Sequence, residues 1–475
     1  MKRFFVAAFA IGVFAVLPLA TAGASTSPET KFQPRTGKIW GMIAPLDTSG
    51  ATGTQVSNSA PASGSLYYNG GPVMPTSTVY AIYWVPSGYA FPSGYTNNMN
   101  QYFKDLQAAN GKDSNPYVNG TQYYQVNANG TKTYVQEHST FAGAYTDKNA
   151  LPALDPVNCP DTPVAAGGGA NGNQSTTAGC VTDAQVQQEI SNVVKANHWP
   201  VSNTTEFFMF TAPNIGTCFP AEVGTGTGSG VDTTVTAPLC SFSYFCAYHS
   251  AYYDSTVNPN SQIIYSNMPY AAQTAGNPLT CDTQNYPNGN PSDAEISVTS
   301  HEHNESITDP FGTGWWDSNS NDSAAGYENG DMCAWDFGTT YGASGKEWNE
   351  TINGHHYLMQ LEWDNTTNGC PGSDASGNPV SHPNYDTPEI SLTPKTGFPT
   401  APFTITGLFF NVGDAITNSF LDAGTKWALG SATANSSGRF SLMTRVPGKA
   451  KAGAATVSSS GHAGTAKASF TVPSK

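Results

Sequence analysis

Hydrophobic and polar positions along the chain fall into recognisable periods, and these predict most of its regular elements. Residues 78–85 (TVYAIYWV) are β-branched and aromatic with no turn residue, which predicts a strand covered on both faces. Residues 95–109 carry Met99, Tyr102, Phe103 and Leu106 at helical spacing. Residues 122–126 and 132–135 flank the turn signal Asn129-Gly130 and predict a hairpin. Thr182 is placed to cap a helix running to about Asn197, with Val186, Ile190, Val193 and Val194 on one face. Apolar runs at 207–210 and 262–265 predict two more strands. Ser292 followed by Glu295 predicts a capping box opening a helix, which Asp309-Pro310 closes because proline disfavours helix at the residue before it. After about Asp386, short alternating runs at 390–392, 403–405, 427–429, 440–442 and 468–472 are separated by Gly and Pro, the spacing of a β-sandwich of under about 100 residues.

The N-terminal pattern is of another kind. Met1-Lys2-Arg3 is a basic head, residues 4–19 are apolar but for Pro18 and a glycine, and small residues follow at 20–24, the layout of a secretory signal peptide over residues 1–24. Residues 25–64 are rich in Ser, Thr, Pro and Gly and predict a poorly ordered leader or propeptide. No later stretch is long and apolar enough to predict a membrane span.

Composition sharpens this picture. Of 475 residues 12% are aromatic and only 11% charged, a balance opposite to that of a disordered chain. The formal net charge of −15 argues against a nucleic-acid partner, since phosphates must be neutralised by Lys and Arg. The charge is unevenly spread: from Thr387 onward there are 8 Lys/Arg and 3 Asp/Glu, whereas residues 25–386 hold 9 and 31. The low charge fraction and a sequence pI near 4.8 suit an acidic setting. Eight cysteines point to an oxidising compartment, and sequential pairing (159–180, 218–240, 246–281, 333–370) is the simplest connectivity.

Candidate chemistry concentrates in residues 291–310, PSDAEISVTSHEHNESITDP. On a helix, His301 and Glu305 share a face while Glu302 points about a quarter turn away and His303 falls elsewhere. His at i, Glu at i+1 and a ligand at i+4 is the zincin layout, two ligands plus a carboxylate able to take a proton from an activated water. A carboxylate at i+4 in place of imidazole favours harder ions such as Ca²⁺ or Mn²⁺ beside Zn²⁺. Further ligands are available at Glu328, Asp331 and His249. The bland alternative is a solvated polar helix face. A rival metal reading places Asp317, Asn319, Asn321 and Glu328 at EF-hand positions, although Asp322 stands where the turn needs glycine. A carboxylate-only glycosidase would pair Glu302 with Glu305 or Glu328. No G-x-S-x-G elbow is present.

Several of these segments occur in an order that resembles a known family. The stretch YNGGPVM at 68–74 before a strand ending at Trp84, Cys246-x-x-His249, and a helix ending in Thr308-Asp309-Pro310 resemble the Exordium-like, phosphate-induced family of secreted proteins. The likeness extends to bacterial relatives through Glu328-x-x-Asp331-x-Cys333 and Glu362-Trp363 before Cys370, and it covers about residues 66–370. The bacterial motifs imply a zincin-like metallopeptidase core. In it a helix beneath a sheet supplies His301, the base Glu302 and the ligand Glu305, with Glu328 as third ligand and Asp331 steadying it.

The expectation is therefore an α+β, mixed-sheet, zincin-like main domain over 65–386 followed by an all-β Ig-like sandwich over 387–475. It would be a secreted Zn²⁺ endopeptidase, with Ca²⁺ as the other metal considered, acting on protein or peptide substrates, its basic C-terminal domain suited to an anionic cell-wall polymer. The alternative is a non-catalytic extracellular protein binding cell wall or polysaccharide, its Tyr and Trp stacking on sugar rings. Those aromatics equally suit core packing.

Overall fold

The unbroken apolar runs become the inner strands of a sheet covered on both sides. A computed structural model describes residues 41–46 and 64–474, apart from 112–114, 161–178, 220–237, 243, 273–280, 320–321, 323, 325, 366–367, 374–387, 409, 411–413, 435–438 and 462–463. The expected signal peptide and most of the expected leader lie outside these residues.

The main sheet has six strands: β1 (Met42–Ile43), β2 (Ser77–Trp84), β3 (Ser139–Asp147), β4 (Thr205–Thr211), β5 (Ala247–Tyr252) and β6 (Ile263–Pro269). Their order is β1-β5-β6-β4-β2-β3. The strands β6, β4, β2 and β3 run parallel, while β5 is antiparallel to β6 and β1 to β5. Every residue of β4 and β6 is buried, which is why these runs show no polar alternation. Successive side chains point to opposite faces. Val79, Ala81, Tyr83, Phe208 and Phe210 join one core with helices α1 (Tyr95–Ala108) and α3 (Ser292–Thr308). From the sheet's other face Tyr265 reaches Asp183 and Gln187 of α2 (Asp183–Ala196).

Helices α1 and α2 have the expected positions, and α2 opens on the capping box of Thr182 and Gln185. The hairpin pairs Tyr124–Val126 with Lys132–Tyr134. All four disulfides are the sequential pairs. None of the helices among the described residues is long and apolar enough to cross a membrane.

Helix α3 departs from expectation in two ways. Its start uses no Ser292–Glu295 box: the Asn290 side chain accepts the Ser292 N–H, and Asp293 accepts those of Asn288 and Asn290. Glu295 faces inward and accepts from Tyr95 Oη at 3.0 Å and the Ala271 N–H at 2.8 Å, so it cannot fold back on its own helix end. More consequentially, all seventeen residues of α3 are buried, although most are polar.

The leader reading also fails at one point. Met42 and Ile43 pair with Tyr248 and Ala247 as the sheet's edge strand, and Trp335 Nε1 donates to the Ala44 carbonyl. Two apolar residues among Gly, Pro and Thr carry no periodicity by which a strand could be recognised.

Residues 388–474 are all strand and turn where described. Sheets of order β7-β8-β11 and β10-β9-β12-β13 are formed from β7 (Glu389–Thr393), β8 (Pro402–Leu408), β9 (Ala415–Asp422), β10 (Thr425–Thr433), β11 (Phe440–Arg445), β12 (Gly453–Gly461) and β13 (Gly464–Val472). Phe403 of the first sheet packs on Phe420 and Phe470 of the second, at ring-centroid distances of 6.5 and 4.9 Å, in an apolar core separate from that of the main sheet. Each run expected to be a strand is one.

Acids buried in the main core set its response to pH. Burial pushes the carboxyls of Glu206 and Glu295 up to about 8 and that of Glu350 to about 7. Between the ordinary carboxyl range near ~4.3 and those values the folded chain binds more protons than the unfolded one, so folding weakens as pH rises. The chelator-treated protein should show a denaturant midpoint that falls steadily from pH 5 to pH 8. A midpoint that rises across that window would contradict this assignment.

Candidate metal centre

The C-terminal half of α3 turns His301, Glu302 and Glu305 towards β5, β1 and the short helix α4 (Asn329–Met332). His249 of β5 enters from the sheet. Its Nδ1 lies 3.4 Å from Glu302 Oε2 and 3.6 Å from Glu305 Oε2, while its Nε2 lies 3.3 Å from the Asp309 carbonyl. With Nε2–H donated to that carbonyl, Nδ1 presents a lone pair to two carboxylates, an arrangement that needs a proton or a cation between them.

His301 faces the other oxygen of the same glutamate. Its Nε2 is 3.1 Å from Glu305 Oε1, outside the alignment of an N–H···O bond, and 3.9 Å from Asp331 Oδ1. Two groups of potential ligands result, His249–Glu302–Glu305 and His301–Glu305–Asp331, each with its atoms within 4.8 Å of one another and buried. Donors held about 2.1 Å from a tetrahedral ion stand about 3.4 Å apart. Charge-assisted hydrogen bonds are shorter, about 2.7–2.9 Å. The 3.4 and 3.6 Å spacings around His249 belong with the former, whereas the 3.1 and 3.9 Å spacings around His301 lie on either side of it.

Backbone close to the imidazoles makes the packing possible. Gly41 has φ +64°, its carbonyl accepts the His249 N–H, and a Cβ there would stand 2.3 Å from His249 Nδ1. Its N–H donates to Glu328 Oε2 at 2.5 Å. A Cβ on Gly330 of α4 would stand 2.7 Å from His301 Nδ1. Glu328 and Asp331 cap α4 reciprocally, and the Asp331 N–H donates to Glu305 Oε1 at 3.0 Å.

The electrostatics are those of crowded acids in a dry site. Burial, then the charges of Glu305 and Asp331, raise the Glu302 carboxyl well above its ordinary range. Burial would lower His301, but Glu305 and Asp331 outweigh it and hold the imidazole above its usual value. His303 is different: burial pushes it down to about 3, and its nitrogens lie 3.2 Å from Tyr117 Oη and 3.1 Å from Ser77 Oγ.

The structure thus brings together His249, His301, Glu302, Glu305 and Asp331. Asp331 stands within one of the two groups of potential ligand atoms, whereas Glu328 stands in neither and accepts from the Gly41 N–H. In the EF-hand arrangement Asn321 lies outside the described residues, and Glu328 is engaged by Gly41.

Sequence reasoning singled out Glu362 only as part of a motif. Burial and the Glu305 charge raise its carboxyl well above the ordinary range. With Ser300 and Gln360 it lines a cleft, and Gln360 Nε2 donates to the Gly330 carbonyl beside His301. Nothing in the spacing of residues 360–363 could have signalled this, because the approach to α3 is tertiary.

No protein-family model matches the chain, and no curated protein matches it. Among solved structures, macromomycin is similar at 16% identity over 18% of this chain and 98% of its own, with a TM-score of 0.15. The sulfur carrier protein SoxY from Chlorobium limicola f thiosulfatophilum is similar at 15% identity over 19% of this chain and 76% of its own, with a TM-score of 0.12. At such scores neither likeness says anything about the site.

The cradle around His249 can be tested by adding one methyl group. Gly41→Ala should cost the ~1–2 kcal/mol of a left-handed non-glycine residue plus the ~1–3 kcal/mol of overpacking. Gly70→Ala, also at positive φ but facing open space, should cost the first alone. Equal losses in denaturant midpoint for the two variants would count against a tight Gly41–His249 contact.

Proposed function

We propose that the chain is an exported, metal-dependent hydrolase acting on protein or peptide substrates, with a zincin-like main domain and an Ig-like C-terminal sandwich. The observation carrying this reading is the convergence of two imidazoles and three carboxylates from β5, α3 and α4 at ligand-like spacing in a buried site. Burying that many acids beside two histidines is costly unless positive charge compensates them, and the all-N/O donor set suits Zn²⁺, with Ca²⁺ or Mn²⁺ favoured as carboxylates predominate. His301, Glu305 and Asp331 would hold the ion, with His249 facing it across Glu305. A divalent ion bound there would polarise a carbonyl and lower the pKa of a nearby water.

The chain's own residues supply the rest. Glu302 is the residue placed to accept a proton: it stands beside His249 at the edge of the ligand cluster, and burial with the charges of Glu305 and Asp331 raises its proton affinity well above that of an ordinary carboxylate. The Asp309 carbonyl orients His249, and the Asp331 N–H orients Glu305. Four disulfides and the predicted signal peptide support export to an oxidising compartment.

The sugar-stacking alternative draws less support. Most large aromatics are core: Trp84, Trp363, Tyr83, Tyr95 and Tyr102 are among the most fully buried side chains.

Casein hydrolysis with metal analysis tests the proposal. Wild-type protein should retain a stoichiometric divalent metal and clear casein, and chelation should abolish clearing. Glu302→Gln should keep bound metal through His301, Glu305 and Asp331 but lose about 100-fold or more in rate. Undiminished clearing by the variant would end the base role, and protein that takes up no metal would end the reading.

A further inference from the structure

Glu305 lies in both groups of potential ligands, and its two oxygens are divided between them. Oε2 faces His249 Nδ1 at 3.6 Å, where Glu302 Oε2 also stands. Oε1 faces His301 Nε2 at 3.1 Å, where Asp331 Oδ1 completes the set. A single ion satisfies one imidazole and leaves the other facing carboxylates across a gap that only a proton would then fill.

From this we infer that the centre is dinuclear: two divalent cations, one held by His249, Glu302 and Glu305 and the other by His301, Glu305 and Asp331, with the Glu305 carboxylate bridging them. The inference rests on the metal-dependent reading above and alters it in one respect: Glu302, there the proton acceptor, here ligates the ion beside His249, so that Glu302→Gln would lose that ion as well.

Three observations support two ions over one. Each group contains one imidazole and two carboxylate oxygens, a complete three-ligand set of the kind catalytic sites use. A carboxylate that presents one oxygen to each of two ions suits the ~3.5–4 Å metal separation of two-metal hydrolytic sites. The buried atoms left without a hydrogen bond fall on both sides of the bridge, at His301 Nδ1 and Nε2 on one and Glu302 Oε1 on the other.

Two glycines allow the approach on either side, Gly41 beside His249 and Gly330 beside His301. In each case a methyl group would intrude on the ring. The two halves of the site are therefore built alike from different parts of the chain.

The test is loading of the mature full-length protein with Mn²⁺ alone, read by metal analysis and electron paramagnetic resonance. Wild type should bind two ions per chain and give a spin-coupled multiline signal. His249→Ala and His301→Ala should each bind one ion and give the uncoupled signal of isolated Mn²⁺. The wild-type spectrum does not depend on whether either variant folds. One ion per chain in wild type would overturn the dinuclear centre while leaving the metal-dependent reading intact. No bound ion would overturn both. Two uncoupled ions, or two ions retained by both variants, would place the second ion elsewhere and overturn the proposal.

Discussion

The main domain is organised around the burial of a polar helix. Seventeen consecutive residues of α3 are removed from water, among them three glutamates and two histidines. A buried polar group without a partner costs about 1–3 kcal/mol and a buried charge more, so such a helix is tolerable only if the surrounding fold supplies partners. It does so from distant parts of the chain. Tyr95 and Ala271 serve Glu295, Tyr117 and Ser77 serve His303, and Glu206 serves Ser306. The Gln360 N–H donates to Ser297. Because these contacts span from Ser77 to Gln360, the helix ties the sheet, α1 and the segment after α4 into one unit. The residues of the candidate metal centre occupy a stretch of it where the partners are mostly other acids.

This distribution explains what could be read from the sequence. Strands β2, β4 and β6 and helices α1 and α2 bury apolar side chains, and apolar burial leaves a periodic trace. The bounds of α3 were likewise evident, its end from Asp309-Pro310. Its surroundings were not, since Ser, His, Asn and Glu at successive positions read equally well as a solvated face. Only tertiary structure assigns Glu295 to Tyr95 instead of to its own helix terminus. Strand β12 escaped for the opposite reason, because GAATVSSSG offers small side chains with little apolar contrast. Edge strand β1 is too short to have a period.

The site was legible in part for a similar reason. The four-residue spacing of His301 and Glu305 is a property of any α-helix and needs no tertiary knowledge. His249 and Asp331 could be named as candidates by residue type alone. Their allocation could not, since it depends on Gly41 and Gly330 letting backbone come close to the two rings. Glu328 illustrates the point. By chemistry it is as good a ligand as Asp331, yet the Gly41 N–H commits one of its oxygens to the edge strand.

The acidic balance of the chain and the metal reading impose opposite demands on this cluster, and its geometry shows how both are met. In acid, protons on Glu302, Glu362 and the His301 imidazole neutralise the site, so the buried acids no longer oppose folding. As pH rises those protons leave, and the same oxygens and nitrogens become competent ligands; cation binding then releases whatever protons remain. Proton and cation thus compete for one set of atoms. Under the proposed function, the fold would be closed by protons in acid and by metal near neutrality, with activity confined to the second state. That follows from placing a base and its acidic neighbours together in a dry helix: the burial that raises the Glu302 carboxyl also makes the site depend on positive charge whenever Glu302 is ionised.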